Sequence, residues 1–249
     1  MLDTLVEMTR ALGQPQMEYV VVGEGNTSFR ETDDVFWIKA SGQGMQHILA
    51  EGFVAVRFAP ILDLLDHPPM GSTQIQEAMM AAKVDQNAPQ RPSVEVTFHA
   101  MLLADCDVKF IGHTHPIAVN RLLCSTRAEQ FANNRLFPDE AVLCGPRSVF
   151  VPYLDPGMPL AQGIRQRVHA YMDEMGEAPK VILLANHGLI VLGQSAAEIL
   201  NVTAMCVKAA HIFAGACAVG EPVFMSQADI HHIYKRPDEI YRRARFVQK

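Results

Sequence analysis

Ile111-Gly-His-Thr-His-Pro116 closes an apolar run, Asp107-Val-Lys-Phe-Ile111, whose pattern predicts a short strand. Alternate residues of a strand project from the same face, so His113 and His115 are expected to point one way and Thr114 the other. Two imidazoles side by side are half of a metal site, because neutral imidazole suits zinc, copper, iron or nickel. The same spacing also fits two hydrogen-bonded, inert polar residues at a strand end. The choice between them rests on the rest of the chain.

Downstream, Val181–Ala185 reads as a buried strand, Asn186-His-Gly188 as a turn and Leu189–Leu192 as a strand again, which places His187 at a sheet edge. Upstream, Ser93 stands where a helix N-cap belongs, ahead of Val94–Ala104. A capping box would need Glu or Gln three residues after the cap, where Val96 stands; Glu95, one position earlier, offsets the helix dipole. His99 reads as a packed or hydrogen-bonded helix residue. Nearer the N-terminus, Glu18–Val22 reads as a strand running into Gly23-Glu-Gly-Asn-Thr-Ser-Phe-Arg30. That loop suits either an anion held by convergent donors or a hairpin turn. It is not a dinucleotide fingerprint, since the third glycine is missing and another strand, Asp34–Lys39, follows. The second strand ends in Lys39-Ala-Ser-Gly-Gln-Gly44. If the two strands pair, Asn26, Ser28, Ser41 and Gly42 face a shared pocket. Lys39 either adds a positive charge there or is a solvent-exposed strand lysine.

The remaining elements follow from periodicity and breakers. Helices are expected over residues 2–13, Thr73–Val84, Ile117–Cys124, part of 125–140 ending at Asn133-Asn134, Leu160–Met175 and Ala196–Val219, the last with His211 in the core. Further strands are expected at Phe53–Phe58, Ala141–Cys144 and Val149–Tyr153, and a connection or short helix at Pro60–Pro69. The basic tail, Asp229–Lys249, packs on a neighbouring subunit or covers its own. With 249 residues, 49% of them apolar, 19% charged, and a net charge of −6, the chain reads as one globular domain over 1–249. It shows no repeat and no internal boundary. No basic run alternates with aromatics, so nucleic acid is not an expected partner. No apolar stretch approaches the length of a membrane span, and the acidic N-terminal pattern is unlike a secretory signal. Five widely spaced cysteines without a C-x-x-C pair point to buried thiols in a reducing compartment, the cytoplasm.

Five stretches together, Gly25-Asn-Thr-Ser28, Ala40-Ser-Gly42, Pro92-Ser-Val-Glu95, His113-Thr-His115 and Asn186-His-Gly188, resemble the class II (zinc-dependent) aldolase/adducin family in order and spacing. The group includes aldolases of deoxysugar ketose phosphates, an epimerase, a dehydratase, decarboxylases and the adducin head. The resemblance implies an α/β fold: a three-layer α/β/α sandwich with a central, mostly antiparallel sheet, assembled as a homotetramer with sites between subunits. It implies that His113, His115 and His187 bind the metal, Zn²⁺ or another divalent transition metal, and that Glu95 is the catalytic acid/base. It implies that Asn26, Ser28, Ser41, Gly42 and Ser93 match the positions that hold a substrate phosphate, at the far end of the substrate, in sugar-phosphate members of the family.

Three neutral imidazoles leave a divalent cation its full charge and open positions. A hydroxy-carbonyl substrate could chelate there while the ion stabilises an enediolate and Glu95 moves protons. Two departures from the sugar-phosphate aldolases are visible. Val94 replaces a second serine before Glu95, and no tyrosine follows the histidine pair over residues 117–140. That leaves Asp139 and Glu140, and Tyr234 or Tyr241 reaching over from another subunit, as candidates for a second proton donor. The expected activity is a metal-dependent lyase acting on a small, sugar-derived substrate, with decarboxylation or epimerisation as alternatives. A non-catalytic scaffold of the adducin-head kind is the reading from another class.

Overall fold

The computed structural model describes residues 1–66 and 71–247. Among them, seven strands form one sheet: β1 (Asn26–Arg30), β2 (Val35–Lys39), β3 (Phe53–Arg57), β4 (Phe110–Thr114), β5 (Val149–Val151), β6 (Val181–Leu184) and β7 (Gly188–Gly193). Their order is β3-β2-β1-β4-β7-β6-β5, and every neighbouring pair is antiparallel except β5 with β6.

Helices cover both faces. On one side α1 (Leu2–Leu12), α5 (Ile117–Leu123), α6 (Ala128–Asn133) and α9 (Ala196–Val219) pack against Val181, Leu183, Leu189 and Val191. On the other, α2 (Phe58–Asp66), α3 (Ser72–Ala81), α4 (Val96–Asp105) and α8 (Met158–Met175) pack against Ile182, Leu184, Ile190 and Leu192. Successive residues of β6 and β7 therefore serve opposite cores, which is why both strands read as unbroken apolar runs. Three further helices, α7 (Pro138–Cys144), α10 (Gln227–Lys235) and α11 (Pro237–Val247), complete the chain. Ile230 and Ile233 of α10 pack on Ala141 and Val142 of α7. The α/β sandwich with a mostly antiparallel sheet is as expected.

Several local expectations give way to tertiary structure. The strand expected at Glu18–Val22 is absent: Glu18 and Val22 have positive φ, 54° and 58°. The segment instead crosses the end of β4, where Tyr19 O and Glu18 O accept from His115 N (2.8 Å) and Ile117 N (3.1 Å). The strand is displaced into the supposed loop, at Asn26–Arg30, where β2 and β4 pair with it on either side. Its polar side chains are satisfied from both layers, Thr27 by Thr9 of α1 and Ser28 by His99 of α4, so strand propensity is overridden by pairing. Ala141–Cys144, expected as a strand, completes α7, which Pro138 opens in the first helical turn. Helix α4 begins at Val96, with Glu95 rather than Ser93 in the capping position. The connection expected over Pro60–Pro69 is helical through Asp66, and residues 67–69 lie outside the described residues, as do Gln248 and Lys249 of the tail.

Lys39 is buried rather than solvent-exposed, its Nζ donating to Gln43 O at 2.5 Å and Gly23 O at 3.4 Å. His211 is exposed on α9, not in the core. Contrary to the expectation of no span-length stretch, α9 is long and apolar enough to cross a membrane by length and composition, with a mean hydropathy of 1.6. Its Ile199, Val202, Cys206, Ala209, Ala210 and Phe213 lie in the core shared with α1 and α5, so one face of the helix is a core face.

Candidate metal centre

The antiparallel pairing of β4 with β7 builds the site. His113 lies opposite Ile190 in the register, and His115 follows the last strand residue, Thr114. The β6–β7 turn, with Asn186 at φ 55°, delivers His187 to the same end. The side-chain amide of Asn120, on α5, donates to His187 O at 2.9 Å and pins the turn. The three rings face one another nearly edge to face, their centroids 4.8–5.0 Å apart, and their ligand nitrogens all lie within 4.8 Å of one another. Gly188 makes this packing possible. A Cβ there would stand 2.7 Å from both Thr114 O and His115 Cδ2, closer than unbonded atoms approach.

Hydrogen bonds set the tautomers. His113 Nδ1 donates to Leu189 O at 3.1 Å, and His115 Nδ1 donates to Glu24 Oε2 at 3.2 Å. Both Nε2 lone pairs are thereby turned inward, where the two nitrogens stand 3.0 Å apart. Burial pushes His113 down to about 3, against the pull of Glu95, with His115 and His187 adding to the fall. His115 is lowered too, by burial first and then by His187. Neutral imidazoles with facing lone pairs repel unless a cation lies between them, and this donor set suits zinc or another borderline divalent metal. The residues present fit the ion that the resemblance implies.

Glu95 closes the cluster. Its Oε2 lies 3.4 Å from His113 Nε2 and its Oε1 3.3 Å from His187 Nε2. Burial alone would raise this carboxyl; the imidazoles of His113 and His187 and the amide of Asn26 outweigh it and hold the group well below the usual carboxylate range. Asn26 is a clamp: its Nδ2 donates to Glu95 Oε2 at 2.7 Å and to Ser93 Oγ at 3.0 Å. Behind it, His99 Nε2 donates to Asn26 Oδ1, and the hydroxyl of Ser28 donates to His99 Nδ1 at 2.7 Å. This is the hydrogen-bonded role expected of His99. Burial pushes His99 down to about 3, so it stays a neutral relay. Replacing it with Leu would leave Ser28 and Asn26 Oδ1 buried without a partner. His99→Leu is expected to lower stability by about 1–3 kcal/mol, read as a reduced urea midpoint.

The supposed far-end residues divide. Asn26 and Ser93 meet at Glu95, whereas Ser28 is fully buried beneath them against His99 and does not face a pocket. Ser41 and Gly42 occupy an exposed turn after β2. Ser41 lines a separate groove of ≈ 460 Å³ with Arg91 and Val94. Within the single chain the four second-proton candidates pair elsewhere. Arg242 holds Asp139 at 2.5 Å, and Glu140 accepts from Leu136 N at 2.8 Å. Tyr234 is buried under the Arg243 guanidinium at 4.2 Å, and the Tyr241 hydroxyl accepts from Arg245 at 2.6 Å. Glu24 and Asn120 escaped the reading of the sequence. The only signal for Glu24 was a lone acid between Gly23 and Gly25 in a donor-rich loop.

A family model for the class II aldolase and adducin N-terminal domain matches residues 3–214. The chain belongs to this family. A curated relative from Bacillus subtilis, described as the uncharacterized oxidoreductase YuxG, is 28% identical over 185 residues, which cover 70% of this chain and 24% of YuxG. This class II aldolase-family chain thus spans about a quarter of that relative. Among solved structures, the N-terminal class II aldolase domain of a conserved Thermoplasma acidophilum protein superposes with a TM-score of 0.67 at 25% identity, covering 86% of this chain and 93% of its own. An L-fuculose 1-phosphate aldolase superposes with a TM-score of 0.71 at 16% identity, covering 94% of each chain, a likeness of fold.

Proposed function

We propose that the chain is a divalent-metal-dependent lyase that breaks a carbon–carbon bond in a small, sugar-derived hydroxy-carbonyl compound. Decarboxylation or epimerisation of such a compound is the alternative within the family. One observation carries the reading: three imidazole nitrogens converge on the side of the cluster where a clamped carboxylate already touches two of them. A non-catalytic scaffold has no use for that arrangement, since groups with strongly displaced proton affinities gather where chemistry is done.

His113, His115 and His187 would hold the ion, zinc by its preference for nitrogen ligands; when bound it supplies Lewis acidity toward adjacent hydroxyl and carbonyl oxygens. Glu95, ionised at neutral pH, takes a proton from the substrate at one carboxylate oxygen and returns it later. Asn26 fixes the orientation of that oxygen, and the Ser93 hydroxyl, which accepts from the same Asn26 amide, orients the substrate beside it. We assign the chain to the cytoplasm, supported by its free cysteines, and to a homotetramer.

The test is the metal content of protein purified without chelators, followed by a screen of phosphorylated and unphosphorylated ketoses and sugar acids with the zinc-loaded chain. A bound divalent ion together with turnover of one such compound is expected. A chain that takes up no divalent ion would favour the scaffold.

A further inference from the structure

Of the three histidines, His115 alone has a carboxylate partner on its outer nitrogen. Glu24 Oε2 lies 3.2 Å from His115 Nδ1, and the carboxylate is itself held by Val21 N, which donates to Oε1 at 2.6 Å. The loop behind it is tied down. Lys39 Nζ binds Gly23 O and Gln43 O, and Gly25, at φ 69°, packs so tightly that a Cβ would meet His113 O at 2.7 Å. The imidazole ring stands between the carboxylate and the Nε2 that faces His113, so Glu24 is not itself a ligand; it acts through His115. A carboxylate on Nδ1–H locks the ring orientation, keeps the Nε2 lone pair available and makes the nitrogen more basic. It also places a second negative charge near an otherwise neutral ligand set, moderating the charge of the ion that those nitrogens would hold.

We propose that Glu24 is a positioning residue of the metal centre, fixing the tautomer and orientation of His115 and setting how tightly the ion is retained. This inference rests on the three-histidine reading above. The geometry separates it from a loop-anchoring role, because the oxygen that binds the backbone of Val21 and the oxygen that binds His115 are different atoms.

The experiment is Zn²⁺ affinity of the full chain by competition with a chromogenic chelator, for the parent, Glu24→Ala and Glu24→Gln, with the Tm of each zinc-free protein alongside. Glu24→Ala is expected to weaken Zn²⁺ binding about 10–100-fold. Glu24→Gln, whose amide oxygen still accepts from Nδ1–H, is expected to lose less. Nitrogen NMR of the zinc-free parent should show His115 protonated at Nδ1, and Glu24→Ala should shift it toward the other tautomer. Parent-like affinity in both variants, with only the zinc-free Tm lowered, overturns the proposal and leaves Glu24 a loop anchor. A parent chain that binds no Zn²⁺ overturns the metal centre itself, and this role with it.

Discussion

Glu95→Gln is expected to keep the divalent ion and to lose about 10²–10⁴-fold in kcat. The substitution preserves shape, and its amide oxygen can still accept from Asn26 Nδ2, now 2.7 Å from Glu95 Oε2. The three imidazoles that would hold the ion are untouched. What disappears is a carboxylate able to take and return a proton, at a position buried enough that water cannot substitute for it freely. The carboxyl is held low by its imidazole neighbours and Asn26 against the upward push of burial, so in the proposed reaction the parent side chain would enter as a base. The checks are kcat on the compound found by screening and metal stoichiometry of the same preparation. Turnover at the parent level with the Gln side chain would remove Glu95 from the proton path.

The second large effect is on the ion. His187→Ala is expected to abolish stoichiometric binding of a divalent metal, while the fold stays intact by circular dichroism. Zinc sites bind with about 10–16 kcal/mol, shared over four ligands, so one imidazole accounts for about 2.5–4 kcal/mol, or about 10²–10³-fold in Kd. His113 and His115 remain, but two nitrogens 3.0 Å apart make an incomplete set. A ligand that binds the folded state raises its stability. A chelator should therefore lower the Tm of the parent and leave that of the variant unchanged. Parent-like metal content in His187→Ala would mean that the cation is held elsewhere.

Most of the long elements were legible because their patterns are local. Ala196–Val219 appears as a helix with the expected bounds, and Leu160, Ile164, Val168 and Tyr171 of α8 are buried on one face as their spacing predicts. The His113/His115 pair projects to one side, as alternation on a strand requires. The misreadings share a cause. At Glu18–Val22 and Ala141–Cys144, apolar and β-branched residues suggest strands, but what they meet in the fold decides their backbone. The first crosses the end of β4 and the second packs under α10. Asn26–Arg30 failed in the opposite sense. A strand of polar residues looks like a loop until the groups that satisfy it, Thr9, Glu95 and His99, are brought alongside.

Sequence alone determined the residue types able to hold a metal, the alternation that pairs two of the imidazoles, and a family pattern whose fold the structure bears out. Only the tertiary structure decided that Glu24 backs His115, that Asn26 is committed to Glu95, and that Ser28 supports His99 rather than lining a pocket. The reason is physical. Residue type and period fix what a side chain can do and which way it leaves its own strand or helix. A hydrogen bond between groups 91 positions apart, as between Glu24 and His115, exists only once the sheet has brought them together.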